Sequence, residues 1–203
     1  MSNKSCTAQV LWWSKSGNTR KVADAIHKTL TENEIDSKLL EINSELSTDI
    51  FSTDLLFIGA PIWANFFPKP VQNYLKKVLK ECGSAWPAAP EKPGHVAIAF
   101  CTYGGSHTGT HEPVPSLQYM DQILEHVGMR VSDHWAVVGG SPMDTVPGRI
   151  GNIAADRPDD RDLGDVENKV IGHLKRFAHI IPSIPRKFVD TEPPKTPPKM
   201  PEM

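Results

Sequence analysis

The chain has 203 residues, a net charge of −2, 39% hydrophobic and 23% charged residues, which suits one globular domain with a substantial core. No basic excess marks a nucleic-acid surface or a polybasic membrane patch, and no apolar run reaches the length of a membrane span. Three scattered cysteines, Cys6, Cys82 and Cys101, form no CxxC pair, and Met1 to Ser5 carry no secretory hydrophobic region; zinc ribbons and disulfide frameworks are excluded, and a reducing cytoplasm is the expected compartment.

In chain order, Ala8 to Trp13 is an apolar run, read as the first strand. Arg20 to Leu30 follows as a helix, with Val22, Ala23, Ile26 and Leu30 on one face. Ser37 to Ile42 is a second strand, and Thr48 to Thr53 a short connection. Asp54 to Trp63 reads as a buried strand ending in a proline-containing loop. From Lys69, the apolar residues Val71, Tyr74, Leu75, Val78 and Leu79 recur at helical spacing, with Pro68 and Pro70 suited to a first turn and Cys82-Gly83-Ser84 to a stop. Ala85 to Gly94, with three prolines, is loop, and Val96 to Cys101 is the fourth strand. Tyr103 to Pro115 is a long loop rich in Gly, His and Thr. Ser116 to Gly128 is a helix that turns Leu117, Met120, Ile123, Leu124 and Val127 inward, and Arg130 to Val138 is the fifth strand. Ser141 to Asp162 reads as an irregular insertion, and Leu163 to Ile181 as the last helix, with Val166, Val170, Ile171, Leu174, Phe177 and Ala178 inward.

This βαβ alternation implies right-handed crossovers and an α/β doubly wound parallel sheet of five strands, covered on both faces. In such sheets ligands sit beyond the carboxyl ends of the strands. Ser14-Lys15-Ser16-Gly17-Asn18-Thr19 lies there, between the first strand and its helix. A helix start offers unpaired backbone N–H groups, and the helix dipole favours negative charge at that end. Ser14, Ser16 and Thr19 add hydroxyls, and Gly17 permits close backbone approach. Hydrogen bonds to a charged acceptor contribute roughly 1.5–3 kcal/mol each, so a few can anchor a phosphate monoester. The alternative reading is an ordinary polar turn with a helix cap.

The spacing Ser-x-Ser-Gly-x-Thr resembles the flavin mononucleotide (FMN) phosphate loop of flavodoxins. The segment ending in Ala60-Pro61-Ile62-Trp63, and Thr102-Tyr103-Gly104-Gly105-Ser106, resemble the two ring-binding loops of that family, and Arg157 to Leu163 resembles a segment before its last helix. The resemblance spans about Ala8 to Ile181 and implies a three-layer fold with strand order 2-1-3-4-5. It implies that Ser14, Ser16, Gly17, Asn18 and Thr19 hold the phosphate. It further implies that Pro61, Ile62, Trp63 and Ala64, with Thr102, Tyr103, Gly104 and Gly105, hold the isoalloxazine ring, Trp63 and Tyr103 standing where the family places aromatics over its faces. The cofactor would carry the redox chemistry. Pro61 to Pro68 lacks acids, so full reduction of the ring meets less local repulsion than in acidic flavodoxins.

Two roles compete under this resemblance. One is an electron carrier serving a redox partner protein. The other is an enzyme that takes hydride from NAD(P)H and reduces a small quinone or free flavin. The near-neutral charge and the long histidine-bearing loop lean towards an enzyme or a dedicated partner. A different class of reading is a binding module without flavin that uses a Phe66–Phe67 lip or the C-terminal tail. No nucleophile elbow surrounds Ser106, no Walker spacing is present, and Trp12-Trp13-Ser14 replaces the acids a receiver domain needs. His107, His111 and Glu112 do not preset a metal geometry, so no metal is expected; the histidines line the flavin mouth or are solvated. Seven of the 18 prolines fall between Pro182 and Pro201. Residues 1–181 are therefore read as the domain and 182–203 as a proline-rich tail, disordered or an arm on the domain or on a second subunit of a homodimer, with Phe188 and Val189 as its apolar anchors.

Overall fold

The computed structural model describes residues 5–83, 91–105, 109–140, 154 and 156–189. Strands β1 (Thr7–Trp12), β2 (Asp36–Glu41), β3 (Leu55–Pro61), β4 (Val96–Tyr103) and β5 (Arg130–Val138) alternate with helices α1 (Asn18–Glu32), α2 (Lys69–Cys82), α3 (Val114–His126) and α4 (Asp160–Phe177). All four strand pairs are parallel, in the order β2-β1-β3-β4-β5. The expected α/β fold and strand order are what the chain adopts.

The alternation of side chains along each strand builds two cores. Val10, Phe57, Ile98, Phe100 and Trp135 pack with α1 and α4 on one face. Leu11, Leu56, Ile58, Ala99 and Cys101 pack with α2 and α3 on the other. Every residue of β3 is buried, as is all of β4 but Tyr103, which is why these strands read as unbroken apolar runs. Between β4 and β5 the register slips by one residue: Ala97 faces Val131, and Ile98 faces Asp133.

Several boundaries differ by a few residues from the sequence reading, three of them for plain physical reasons. Helix α1 begins at Asn18, because Gly17 takes a left-handed conformation (φ 92°) that turns the chain into the helix. Strand β4 runs two residues beyond Cys101, because Thr102 and Tyr103 pair with Val137 and Val138 of β5. Helix α4 begins at Asp160 rather than Leu163, under a reciprocal cap in which the Asp159 carboxylate accepts from the Asp162 N–H and the Asp162 carboxylate from the Asp159 N–H. Much of the expected insertion, residues 141–153, lies outside the described residues, as does His107.

Beyond α4 the chain stays packed as far as residue 189. Ile184 and Phe188 are buried in the α1–α4 core, while Val189 is exposed. Of the two anchors expected there, Phe188 serves and Val189 does not; Ile184 is the second. Ser183 Oγ donates to Asp54 Oδ2 (3.4 Å), which also accepts from the Thr7 N–H (2.9 Å) and hydroxyl (3.1 Å). These residues lie at the amino ends of β1 and β3, so this segment closes the end of the sheet opposite the phosphate-loop sequence.

Candidate functional site

The loop after β1 leaves the sheet through Trp13, whose N–H donates to Gly59 O (3.1 Å). Ser14 Oγ then accepts from the Gly17 N–H (3.0 Å), folding residues 14–17 into a tight turn. No side chain caps α1, and its first turn holds no acid. Instead Arg20 occupies the position where a glutamate would complete a capping box, Lys21 follows, and Lys15 stands exposed in the loop. Cations at the positive end of a helix dipole are unfavourable unless an anion joins them. A Cβ built on Gly17 would meet nothing within 4 Å, so the space before the loop is open. This set of donors and this open space fit the phosphate of FMN.

Asn18 and Thr19 have further duties. The Asn18 amide donates to Gly140 O (2.6 Å), and the buried Thr19 hydroxyl shares a hydrogen bond with the Thr102 hydroxyl (2.8 Å). Their side chains tie the start of α1 to the ends of β5 and β4, leaving the Ser14 and Ser16 hydroxyls and the backbone N–H groups nearest the open space.

After β3, the Ile62 N–H donates to Thr102 O (2.8 Å), holding the two ring-loop segments together. Trp63 and Phe66 then exchange backbone hydrogen bonds (2.9 and 3.1 Å) around Ala64 (φ 48°) and Asn65 (φ 67°). This is a two-residue hairpin with both central residues left-handed, a conformation that costs an alanine roughly 1–2 kcal/mol. The hairpin is held by Ser116 Oγ, which donates to Asn65 O (3.3 Å), and by Phe66 against the Tyr119 ring (5.3 Å). It leaves Trp63 42% exposed, edge-on to Trp13 (5.3 Å) and with Lys15 Nζ 5.4 Å from its ring centre. Phe67 is core and Phe66 is packed on Tyr119, so the pair forms no free apolar lip.

At the end of β4, Tyr103 is half-buried, and burial pushes its phenol up, with help from the Glu112 charge and against the pull of Arg157. Burial likewise holds the Cys101 thiol protonated. Glu112 Oε2 is buried without a hydrogen-bond partner. Gly105 (φ 83°) packs on Val138, and His111 is exposed. Among the described residues, no three His, Cys, Asp or Glu side chains converge as a metal site.

The loops after β1, β3 and β4 therefore converge at one edge of the sheet, as their positions in sequence led us to expect. Sequence reasoning missed Trp13 as the neighbour of Trp63, and it missed the Gly139–Gly140 turn after β5. The Gly139 N–H donates to Tyr103 O (2.8 Å), and the Gly140 N–H to Arg157 O (2.8 Å). A Gly-Gly pair at a fourth strand end on the same edge was the available signal. A groove of about 480 Å³ lies elsewhere, between α2 and the connection after β2, lined by Asn43, Lys69, Asn73 and Lys77 among others.

No protein-family model and no curated protein matches the chain. Solved structures do. An archaeal flavodoxin covers 85% of this chain with 99% of its own length, at 17% identity and a TM-score of 0.58. Flavodoxin 2 from Bacillus cereus covers 85% with 100% of its own, at 16% identity and a TM-score of 0.63. A WrbA-like flavodoxin from Agrobacterium tumefaciens covers 89% with 100% of its own, at 18% identity and a TM-score of 0.58. The chain has the flavodoxin-like fold. No helix among the described residues is long and apolar enough to cross a membrane.

Proposed function

We propose that this protein binds FMN and is a redox protein, with NAD(P)H as electron donor and a small quinone or free flavin as acceptor. The observation that carries the reading is the loop before α1, where Ser14 and Ser16 and the left-handed Gly17, beside the exposed Lys15, lead into a helix start with no side-chain cap beyond the carboxyl end of β1. Helix α4 of the same chain is capped by Asp159 and carries Asp160 and Asp162 in its first turn, as folding alone favours. Helices α2 and α3 also start without a side-chain cap or a first-turn acid, and Arg20 has Asp24 as a partner (3.7 Å). What sets α1 apart is the hydroxyl-bearing Ser14–Ser16–Gly17 loop before it, for which the flavodoxin-like fold suggests the phosphate of FMN.

In this reading Ser14 and Ser16 offer hydroxyls, and Asn18 and Thr19 offer backbone N–H groups, to the phosphate, while Gly17, whose N–H is taken by Ser14 Oγ, leaves room for it to approach. Trp63 offers its exposed face to the ring. Ile62 and Thr102 hold the ring loops in register, while backbone of Pro61, Ala64, Tyr103, Gly104 and Gly105 borders the ring's polar edge. Bound FMN supplies one- and two-electron chemistry; the chain orients it and sets its surroundings. A nicotinamide would need the ring face that Trp63 does not cover.

The test is anaerobic mixing of FMN-loaded protein with NADH and then NADPH, followed by flavin absorbance. Rapid bleaching is expected. Protein that stays yellow with both nucleotides yet bleaches with dithionite would make it a carrier that awaits a redox partner protein. Colourless protein that rejects added FMN would overturn the reading and favour a flavin-free binding module.

A further inference from the structure

We propose that the Gly139–Gly140 turn, anchored by Arg157, is a brace that positions the phosphate loop and so sets the preference for a phosphorylated flavin. The inference rests on the FMN reading above and assigns a role to residues outside the three loops.

Three segments meet at this turn. The Gly140 carbonyl accepts the Asn18 amide (2.6 Å), the first residue of α1. The Gly139 N–H binds the end of β4 at Tyr103 O, and the Gly140 N–H binds Arg157 O. The Arg157 guanidinium in turn holds the Asp162 carboxylate through two hydrogen bonds and lies 3.6 Å from Asp159. Asp162 is the residue that completes the cap of α4. A bidentate arginine–carboxylate pair is directional as well as strong, so the position of the Arg157 backbone is fixed by the start of α4. The phosphate loop is thereby tied, through Asn18 and Gly140, to a helix that neighbours it in the sheet layer but enters the chain more than a hundred residues later.

The brace also leaves little room beyond glycine at position 139. A Cβ on Gly139 would lie 3.2 Å from the Thr102 Cβ, 3.2 Å from the Asn18 amide nitrogen and 3.3 Å from the Asn18 Cβ. Both Cβ atoms belong to backbone-anchored positions, and Thr102 is further pinned by its bond to Thr19. An added methyl therefore requires Asn18 or Thr102 to give by a few tenths of an ångström, at the contact between the start of α1 and the end of β4. A phosphate held by several N–H groups of one turn is sensitive to such a shift, because every donor moves together.

The prediction is selective. Gly139→Ala and Asn18→Ala are expected to weaken FMN binding by about tenfold, the scale of one or two disturbed hydrogen bonds. Asn18→Ala is expected to leave riboflavin, which lacks the phosphate, bound within about twofold, whereas Gly139→Ala, whose added Cβ also meets Thr102 of a ring loop, is expected to weaken riboflavin too, but less than FMN. Arg157→Met acts in the same direction through the backbone it positions, and Arg157→Lys does not restore FMN affinity because lysine cannot hold Asp162 bidentately. Flavin affinities are read by fluorescence quenching. Folding of each variant is checked by far-ultraviolet circular dichroism, and protection of the apoprotein by inorganic phosphate is read as a thermal shift, which the Gly139 and Asn18 variants are expected to lose. Equal weakening of FMN and riboflavin, or unchanged FMN binding in all variants, would overturn the brace. Wild-type protein that takes up neither flavin nor inorganic phosphate would instead overturn the functional reading on which it rests.

Discussion

Gly59 sits in the middle of β3, and the Phe100 ring of β4 lies across the place where a side chain would be. A Cβ there would fall 2.2 Å from Phe100 Cε2. Phe100 is fully buried between α1, α4 and the sheet, so its ring has nowhere to swing. Gly59→Ala is therefore expected to cost about 1–3 kcal/mol of stability, as overpacking of a filled core does, read as a lower urea midpoint. An unchanged midpoint would mean that β4 yields. Trp63 is the opposite case, since its ring touches only Trp13 and Lys15 among the aromatic and cationic contacts and stands out on the hairpin. Trp63→Ala should leave the melting temperature of the apoprotein unchanged. Loss of one stacking surface, worth roughly 0.5–1.5 kcal/mol, should weaken FMN about two- to tenfold. A lower melting temperature with normal FMN affinity would show that this tryptophan serves the fold.

The segment after α4 shows how a stretch with a loop-like composition can act as a structural element. Its prolines forbid a long helix, yet a single turn at Arg186–Phe188 brings Phe188 into the core beside Ile184. Phe188→Ala is expected to cost about 3–5 kcal/mol if the cavity stays open. Truncation after residue 181 should cost more, since Ile184 and the Ser183–Asp54 bond go with it. Equal stability of the truncated and full chains would confine the domain to residues 1–181.

Helix α4 carries a second testable feature on its inward face. His173 lies against Trp135 and Phe177, with Nε2 3.1 Å from Asp133 Oδ2 and Nδ1 buried without a partner. Burial lowers its pKa from the ordinary 6.5; the Asp133 carboxylate opposes that shift, and Arg176 and Lys169 on the same helix add to it. The folded protein thus resists a proton that the unfolded chain accepts. Stability is full above pH 6.5 and falls as the pH drops from there towards the folded value. His173→Phe should flatten this acid-side slope in denaturation curves taken between pH 7.5 and pH 5, a window of about two units around the ordinary histidine value. A slope that persists in the variant would place the titrating group elsewhere.

For the whole molecule, the candidate site is assembled from strand ends that only the folded sheet brings together, so the unfolded chain has no equivalent of it. A ligand that binds the folded state alone stabilises it by mass action, about 2.7 kcal/mol at a hundred times its dissociation constant. If the proposed phosphate site before α1 is used, FMN should raise the melting temperature in a concentration-dependent way, and riboflavin, which has no phosphate, should do so less. The net charge of −2 provides little long-range field, so uptake of a partner or acceptor is expected to depend only weakly on ionic strength. A steep salt dependence would point to a local charge pattern around Lys15 and Arg20.

The sequence by itself determined the architecture and put the candidate loops at the carboxyl ends of the strands. Continuous apolar runs at 55–60 and 96–101 mark buried parallel strands, because a strand covered on both faces must be apolar at every position. The hydroxyl-rich turn at Ser14–Thr19 lies at a strand-to-helix junction, and that junction is fixed by local periodicity. These are short-range signals, and they survive translation into structure. The tertiary fold alone decided which groups meet. The Asn18 amide finds a carbonyl 122 residues away, Thr19 finds Thr102, and Ile184 finds a place in the core after a run of residues that reads as tail. It also separated Phe66, set on Tyr119, from Phe67, buried in the core, though the two are adjacent and chemically identical. No local pattern encodes such pairings, because they depend on how crossovers and register bring distant backbone to the same sheet edge.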